Sequence, residues 1–220
     1  MIDWTEIDTV LLDMDGTLLD LHFDNYFWLT HLPKRYAEIN GISESEALAY
    51  LRSCFAAHEG TLNWYCLEFW SRTLAVDVRE LKEEVKHKIK VRPFAEEFLQ
   101  QLHALDKRLV LITNAHPQSL ELKLEVTEIE RWLHVVISSH EFNTPKEAQE
   151  FWHLLQQREA FDPQRTLFVD DTVRILDSAR DFGIRHLLCL HQPDSQGLHR
   201  GIEAYPAIHH FDEILPRGTS

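Results

Sequence analysis

Apolar residues recur in two rhythms along this chain. From about Leu21 to Lys90 they fall at helix spacing, as at Ala47, Leu48, Leu51, Cys54 and Phe55, so the block predicts helix throughout. Ser43 with Glu46 forms a capping box for one helix. Pro33 interrupts an earlier run, which predicts two helices or a kinked one between Phe23 and Ile39. After Val91, short continuous apolar runs alternate with helical stretches. The pattern predicts a helix from Phe94 to Leu105, a strand from Leu109 to Ile112, a helix from Pro117 to about Glu125, and a strand over Val135 to Ile137. A helix through Ala148, Phe151, Trp152 and Leu155 follows, then a strand over Thr166 to Val169. A helix from Val173 to Phe182 stops at Gly183, and a last strand runs from Arg185 to Leu190. One more run, Thr9 to Leu12, precedes the helical block. Repeated strand–helix units imply a parallel sheet with right-handed crossovers, an α/β, Rossmann-like core built from residues 1–20 and 91–220 with an all-helical domain, 21–90, inserted into it.

Polar residues gather where the apolar runs end. Asp13-Met14-Asp15-Gly16-Thr17 follows the first run, and alternation along an extended segment would point both carboxylates the same way, at the end of the strand where open α/β sheets bind ligands. Two such acids stay ionised together when a hard divalent cation accepts their oxygens. Thr113 and Asn114 close the second run just before a helix start whose free N–H groups suit phosphate. Lys146 follows the third, placed to neutralise phosphate charge. Asp170 and Asp171 close the fourth, where buried acids need a compensating partner. Taken singly, each station also reads as an ordinary turn, strand cap, surface lysine or helix cap.

Taken together, the four stations in this order resemble the haloacid dehalogenase superfamily, and the resemblance spans nearly the whole chain. The stretch at residues 13–17 is its most specific element. The match implies Asp13 as nucleophile, Asp15 as general acid and then base, and Thr113, Asn114 and Lys146 as phosphate ligands. It also implies a Mg²⁺ site drawn from Asp13, Asp15, Asp170 and Asp171. A further Asp that some members carry is Ile175 here, which leaves Asp171 as the stronger metal candidate and Asp170 as the second.

The resemblance makes the 21–90 block a helical cap. It implies phosphomonoester hydrolysis through an aspartyl-phosphate, because the superfamily's dehalogenases lack an acid at the position of Asp15. At finer grain the chain is similar to helical-cap members that dephosphorylate purine 5′-monophosphates, implying a purine nucleoside monophosphate such as IMP or GMP as substrate. A sugar-phosphate phosphatase or phosphomutase would use the same stations. A phospho-acceptor signalling module is the alternative from another class. A cap would choose the leaving group, and His22, Asp24, Tyr26, Arg52 and Trp64 are candidates for that surface, within an aromatic-rich block expected to form its own core.

Composition narrows the partners. A formal charge of −14 over 220 residues disfavours DNA, RNA and acidic membranes, while a small phosphorylated metabolite remains compatible. No apolar run approaches membrane-spanning length, and the acidic start Met1 to Glu6 lacks the pattern of a secretory signal, so a cytoplasmic location is expected. Cys54, Cys66 and Cys189 are too scattered for a disulfide framework or a thiolate metal site and read as reduced packing residues. The fourteen histidines show no metal-motif spacing. The basic run of Lys82, Lys86, Lys88, Lys90 and Arg92, with Glu80, Glu83 and Glu84 interleaved, reads as a solvated helix face. The tail from Pro216 to Ser220 is expected to be loose.

Overall fold

The computed structural model describes residues 2–216, and the tail expected to be loose lies, past Pro216, outside them. Six strands form one sheet: β1 (Thr9–Leu12), β2 (Arg108–Thr113), β3 (Val135–Ser138), β4 (Thr166–Val169), β5 (His186–Leu190) and β6 (Ala207–Ile208). They are all parallel, in the order β3-β2-β1-β4-β5-β6. The two-residue β6 is the one strand that periodicity does not predict, being too short to show any. From β1 the chain winds outward through β2 to β3 and then returns to the other side of β1 to lay down β4. That reversal opens a crevice beyond the carboxyl ends of β1 and β4.

Between β1 and β2 the chain is helical, as predicted: α1 (His22–Tyr26), a π-helical stretch (Phe27–His31), α2 (Leu32–Asn40), α3 (Glu44–Ala56), α4 (Leu62–Tyr65), α5 (Leu67–Leu74) and α6 (Val78–Glu83). The first run divides into two α-helices, as expected, with the π-helical stretch between them and Pro33 at the start of the second. The proline occupies the first turn of α2 directly after the π-helical stretch, where the register of helix bonding is already changing and a missing N–H is tolerated. The capping box of α3 forms as expected, with the Ser43 N–H donating to Glu46 Oε2 at 2.9 Å and the Glu46 N–H to Ser43 Oγ at 3.3 Å.

The remaining helices are α7 (Ala95–Ala104), α8 (Pro117–Thr127), α9 (Gln149–Arg158) and α10 (Val173–Phe182). Period-two alternation sends Val10, Leu12, Leu111 and Val169 to one face of the sheet, against Phe98 and Leu102 of α7 and Leu120 of α8. Leu11, Ile112 and Phe168 face the other way, onto Trp152 and Leu155 of α9 and Leu176 of α10. Helices on both faces explain why the strands read as continuous apolar runs. The helical block does not keep a core to itself, contrary to expectation. Phe23, Phe27, Leu51, Leu67 and Trp70 belong to the same apolar cluster as the first sheet face, because the chain enters the block through Leu18 and Leu19, which are themselves buried there. Among the described residues no helix is long and apolar enough to cross a membrane.

Candidate active site

The register of β1 against β4 sets Leu12 beside Val169, and the next residue on each strand is an aspartate. Asp13 continues the ladder by donating its N–H to the Val169 carbonyl at 3.0 Å, and Asp170 does the same to Leu188 at 3.2 Å. Both side chains are buried. Lys146, arriving from the loop before α9, is 1% exposed and spends its ammonium on both: 2.6 Å to Asp13 Oδ1, 2.7 Å to Asp170 Oδ2, and 3.2 Å to the Ile112 carbonyl. Asp171 completes the group, since one carboxylate oxygen each from Asp13, Asp170 and Asp171 lies within 4.8 Å of the others.

Three carboxylates against the Lys146 ammonium and the Arg200 guanidinium, the latter 3.8 Å from Asp171, leave negative charge in surplus where water screens it poorly. Burial pushes the Asp13 carboxyl up to about 6, with Lys146 opposing and Asp170 reinforcing the shift. Burial likewise raises Asp170 to about 6 and Asp171 to about 7, the latter helped by Asp13 and resisted by Arg200. An all-oxygen donor set short of positive charge fits a hard divalent cation such as Mg²⁺. Gly16 makes the close packing possible: its φ is +85°, and a Cβ there would come within 2.8 Å of Asp171 Cγ.

Asp15 departs from the expected geometry. The strand ends at Leu12, and the Met14 carbonyl gathers the N–H groups of Leu18 and Leu19 at 3.0 and 2.8 Å, turning the chain between the two acids. The carboxylates therefore serve different lysines. Asp15 Oδ1 accepts from Lys123 of α8 at 2.6 Å, and Lys123 also donates to Asp24 Oδ2 of α1 at 2.6 Å. Lys82 of α6 then donates to Asp24 Oδ1 at 2.7 Å. The three carboxylates that meet are those of Asp13, Asp170 and Asp171, and the Asp15 side chain is not one of them. Burial nevertheless raises its carboxyl to about 6, because Asp24 and Asp13 add to desolvation and together outweigh Lys123.

Thr113 and Asn114 lie at the end of β2, both buried. Thr113 Oγ1 accepts the Ala115 N–H at 3.0 Å, which leaves its hydroxyl proton free to donate. The Asn114 carboxamide is engaged: Oδ1 accepts from the Lys146 N–H at 3.0 Å, and Nδ2 donates to Glu147 at 2.9 Å. It thereby fixes the lysine's backbone. A cavity of about 250 Å³ opens between Asp15, Lys123 and the helical block, walled by Trp28, Phe55, Trp64, Tyr65 and Trp70. Of the five residues expected on this surface, Asp24 and Trp64 line the cavity. His22 faces Asp194 at 3.4 Å, Tyr26 lies under the Lys88 ammonium, and Arg52 is exposed on α3.

A family model for the haloacid dehalogenase-like hydrolases matches residues 7–183. The chain belongs to this family. It is 41% identical over 215 residues to the GMP/IMP nucleotidase YrfG of Escherichia coli (strain K12), across 98% of this chain and 97% of that one. Among solved structures, it resembles an HAD phosphatase from Thermococcus onnurineus with a TM-score of 0.78 at 22% identity, covering 94% and 95% of the two chains. It also resembles CbbY from Rhodobacter sphaeroides in complex with phosphate, with a TM-score of 0.65 at 14% identity, covering 94% and 96%. Both likenesses bear on the fold.

Within this haloacid dehalogenase-like fold, the sequence reading missed several buried cations. Lys82 and Arg92 are not part of a solvated face: both are buried, and the Arg92 guanidinium holds the carbonyls of Gln192, Pro193 and His209. Arg200, unremarked in the sequence, donates to the Asp171 and Leu190 carbonyls at 2.7 and 2.8 Å. Lys123 did carry a signal, for it interrupts the apolar positions Leu120, Leu122 and Leu124 on α8.

Proposed function

We propose that this chain is a Mg²⁺-dependent phosphomonoester hydrolase acting on purine nucleoside 5′-monophosphates, IMP and GMP foremost. The observation that carries the substrate reading is the aromatic cavity lined by Asp15. A leaving group must sit beside the acid that protonates it, and the space beside this acid has flat apolar walls suited to a purine. The 41% identity to a GMP/IMP nucleotidase supports the same choice.

In this reading an Asp13 oxygen attacks phosphorus in line, the ester P–O bond breaks, and Asp15 delivers its proton to the departing 5′-oxygen. The Asp15 carboxylate then takes a proton from water, which attacks the aspartyl-phosphate and frees inorganic phosphate and Asp13. A carboxyl whose proton comes off near neutrality suits both halves of that cycle. Lys146, the Thr113 hydroxyl and the N–H groups following Asn114 would stabilise the phosphoryl oxygens. Asp13 and Asp171 would hold Mg²⁺, with Asp170 behind them because both of its oxygens are engaged, one by Lys146 and one by the Thr172 N–H at 2.8 Å. The ion would supply charge neutralisation that lets a carboxylate approach a phosphate dianion.

The 21–90 block would act as the cap that covers the crevice and selects the leaving group. The enzyme would be a cytoplasmic one of nucleotide metabolism, and its three free cysteines suit that compartment. Phosphate release from a panel of phosphorylated metabolites, with and without Mg²⁺, tests the proposal. IMP and GMP should be turned over fastest, and only with the cation. Sugar phosphates turned over far faster than IMP or GMP would overturn the nucleotidase reading.

A further inference from the structure

Cys66, His116 and His140 are far apart in sequence and meet in space. Cys66 lies at the junction of α4 and α5, His116 immediately before α8, and His140 just after β3. One donor atom from each falls within 4.8 Å of the donors of the other two. The imidazole rings meet edge to face with centroids 5.0 Å apart. Hydrogen bonding does not explain the grouping. Nε2 of His140 is shielded from water and has no partner, His116 Nδ1 meets only the Gln118 N–H at 3.4 Å, and Cys66 Sγ meets only the Phe69 N–H at 3.4 Å. A buried ring nitrogen left without a partner loses its hydration with nothing in return, so packing alone leaves His140 unaccounted for.

We propose that Cys66, His116 and His140 bind a divalent cation of the Zn²⁺ class, and that the bound ion clips the helical block to the sheet domain. A thiolate with two imidazoles is the donor set of a tetrahedral site for a borderline-soft ion, with a fourth position left for water or a carboxylate. Mg²⁺ prefers oxygen, so donor chemistry sorts the two ions between this site and the carboxylate group at the strand ends. Imidazole is mostly uncharged at neutral pH, which leaves a ring lone pair on each histidine free to coordinate. On binding, the Cys66 thiol gives its proton to solvent.

The site's position gives it a consequence. His116 lines the aromatic cavity, and Tyr65 and Leu67, the residues on either side of Cys66, line it too. An ion joining Cys66 to His116 and His140 ties the Tyr65–Leu67 segment of the helical block to the start of α8 at the cavity's edge, slowing exchange of substrate and product. Zinc should therefore inhibit turnover without displacing Mg²⁺.

The full chain carrying Asp171→Asn, which weakens the carboxylate group, would be titrated with Co²⁺ and Zn²⁺ alone. The expected result is one Co²⁺ per chain with a thiolate-to-metal charge-transfer absorption. Cys66→Ser should abolish that absorption, and Cys66→Ser and His140→Ala should each weaken Zn²⁺ by about tenfold or more. His209→Ala, which breaks the surface contact between His199 and His209, should leave both unchanged. With Asp171 restored, zinc should inhibit the parent but not Cys66→Ser, each measured against its own rate with Mg²⁺ alone. Circular dichroism checks each variant, and His140→Ala carries the test if Cys66→Ser misfolds. Co²⁺ bound without a sulfur signature, unchanged zinc affinity in His140→Ala, or loss of binding only in His209→Ala would overturn the proposal.

Discussion

At the ends of β1 and β4, Asp13 and Asp170 share one ammonium, Lys146, beside Asp171, whose carboxylate has the Arg200 guanidinium at 3.8 Å; two residues beyond Asp13, Asp15 joins Asp24 in sharing two ammoniums, Lys123 and Lys82. Both clusters are lysine–carboxylate networks on buried lysines, the carboxylates of the second being only partly buried, and their charges are balanced differently. The first has a surplus of acid, and its carboxyls are pushed up toward neutrality. In the second, burial acts to raise Asp24, but the Lys123 and Lys82 ammoniums overcome it and hold that carboxyl down at about 2. A cluster short of positive charge is built to receive some, as a cation. A cluster that closes on itself holds elements together. Asp15 belongs to the second by its hydrogen bond and by its charged neighbours Lys123 and Asp24, with Asp13 adding a smaller push, yet burial raises its carboxyl to about 6, which suits the proposed role of giving and taking a proton.

The contrast is sharpest when single carboxylates are neutralised. Asp13→Asn should reduce kcat by about 10⁴-fold or more with the fold retained, since the amide keeps the shape and removes the nucleophile; phosphate release and circular dichroism check both halves. Asp15→Asn should cost about 10²–10⁴-fold, with breakdown of the phosphoenzyme slowed most, which a rapid-quench time course would resolve. If either variant kept the parent's kcat, the role given to that residue would be wrong.

In the balanced cluster the loss should appear as stability. Asp24→Asn leaves the Lys82 ammonium buried without its carboxylate and should cost about 3–5 kcal/mol in urea unfolding at pH 7. A carboxyl depressed in the folded state contributes stability above its unfolded pKa, about 4, and loses that contribution as pH falls through its folded value. The gap between parent and Asp24→Asn should therefore be full at pH 5–7 and narrow by about 2–3 kcal/mol between about pH 4 and pH 2. A gap that stayed constant over that range would remove Asp24 from the charge network. Smallest of all, Trp64→Ala should weaken IMP by about 1–3 kcal/mol, seen in KM, while leaving a small phosphomonoester such as methyl phosphate unaffected.

The two clusters also differ in how readily they could be read from the sequence. Asp13, Thr113, Lys146 and Asp170 stand next to or just beyond apolar runs, and a parallel sheet brings the ends of such runs together, so their convergence follows from local pattern plus one topological rule. The second cluster has no such marker. Lys123 and Lys82 reach Asp24 across 99 and 58 residues, from the middle of α8 and the last turn of α6, and only the packing of α1, α6 and α8 decides which lysines turn inward. The same holds for Cys66, His116 and His140, which no spacing rule connects. The turn after Leu12 was illegible for another reason: alternation extends a strand indefinitely on paper, whereas here the Met14 carbonyl ends it and sends Asp15 to its own lysine.

Trapping the covalent intermediate tests most directly whether the acid-rich cluster attacks phosphorus. The Asp15→Asn variant, mixed with Mg²⁺ and IMP carrying a radiolabelled phosphate, would be quenched in acid within one turnover and its peptides mapped. The label should reside on Asp13, in a bond cleaved by hydroxylamine. Phosphate formed in that turnover with no label on the protein, or with the label on any other residue, would contradict the assignment.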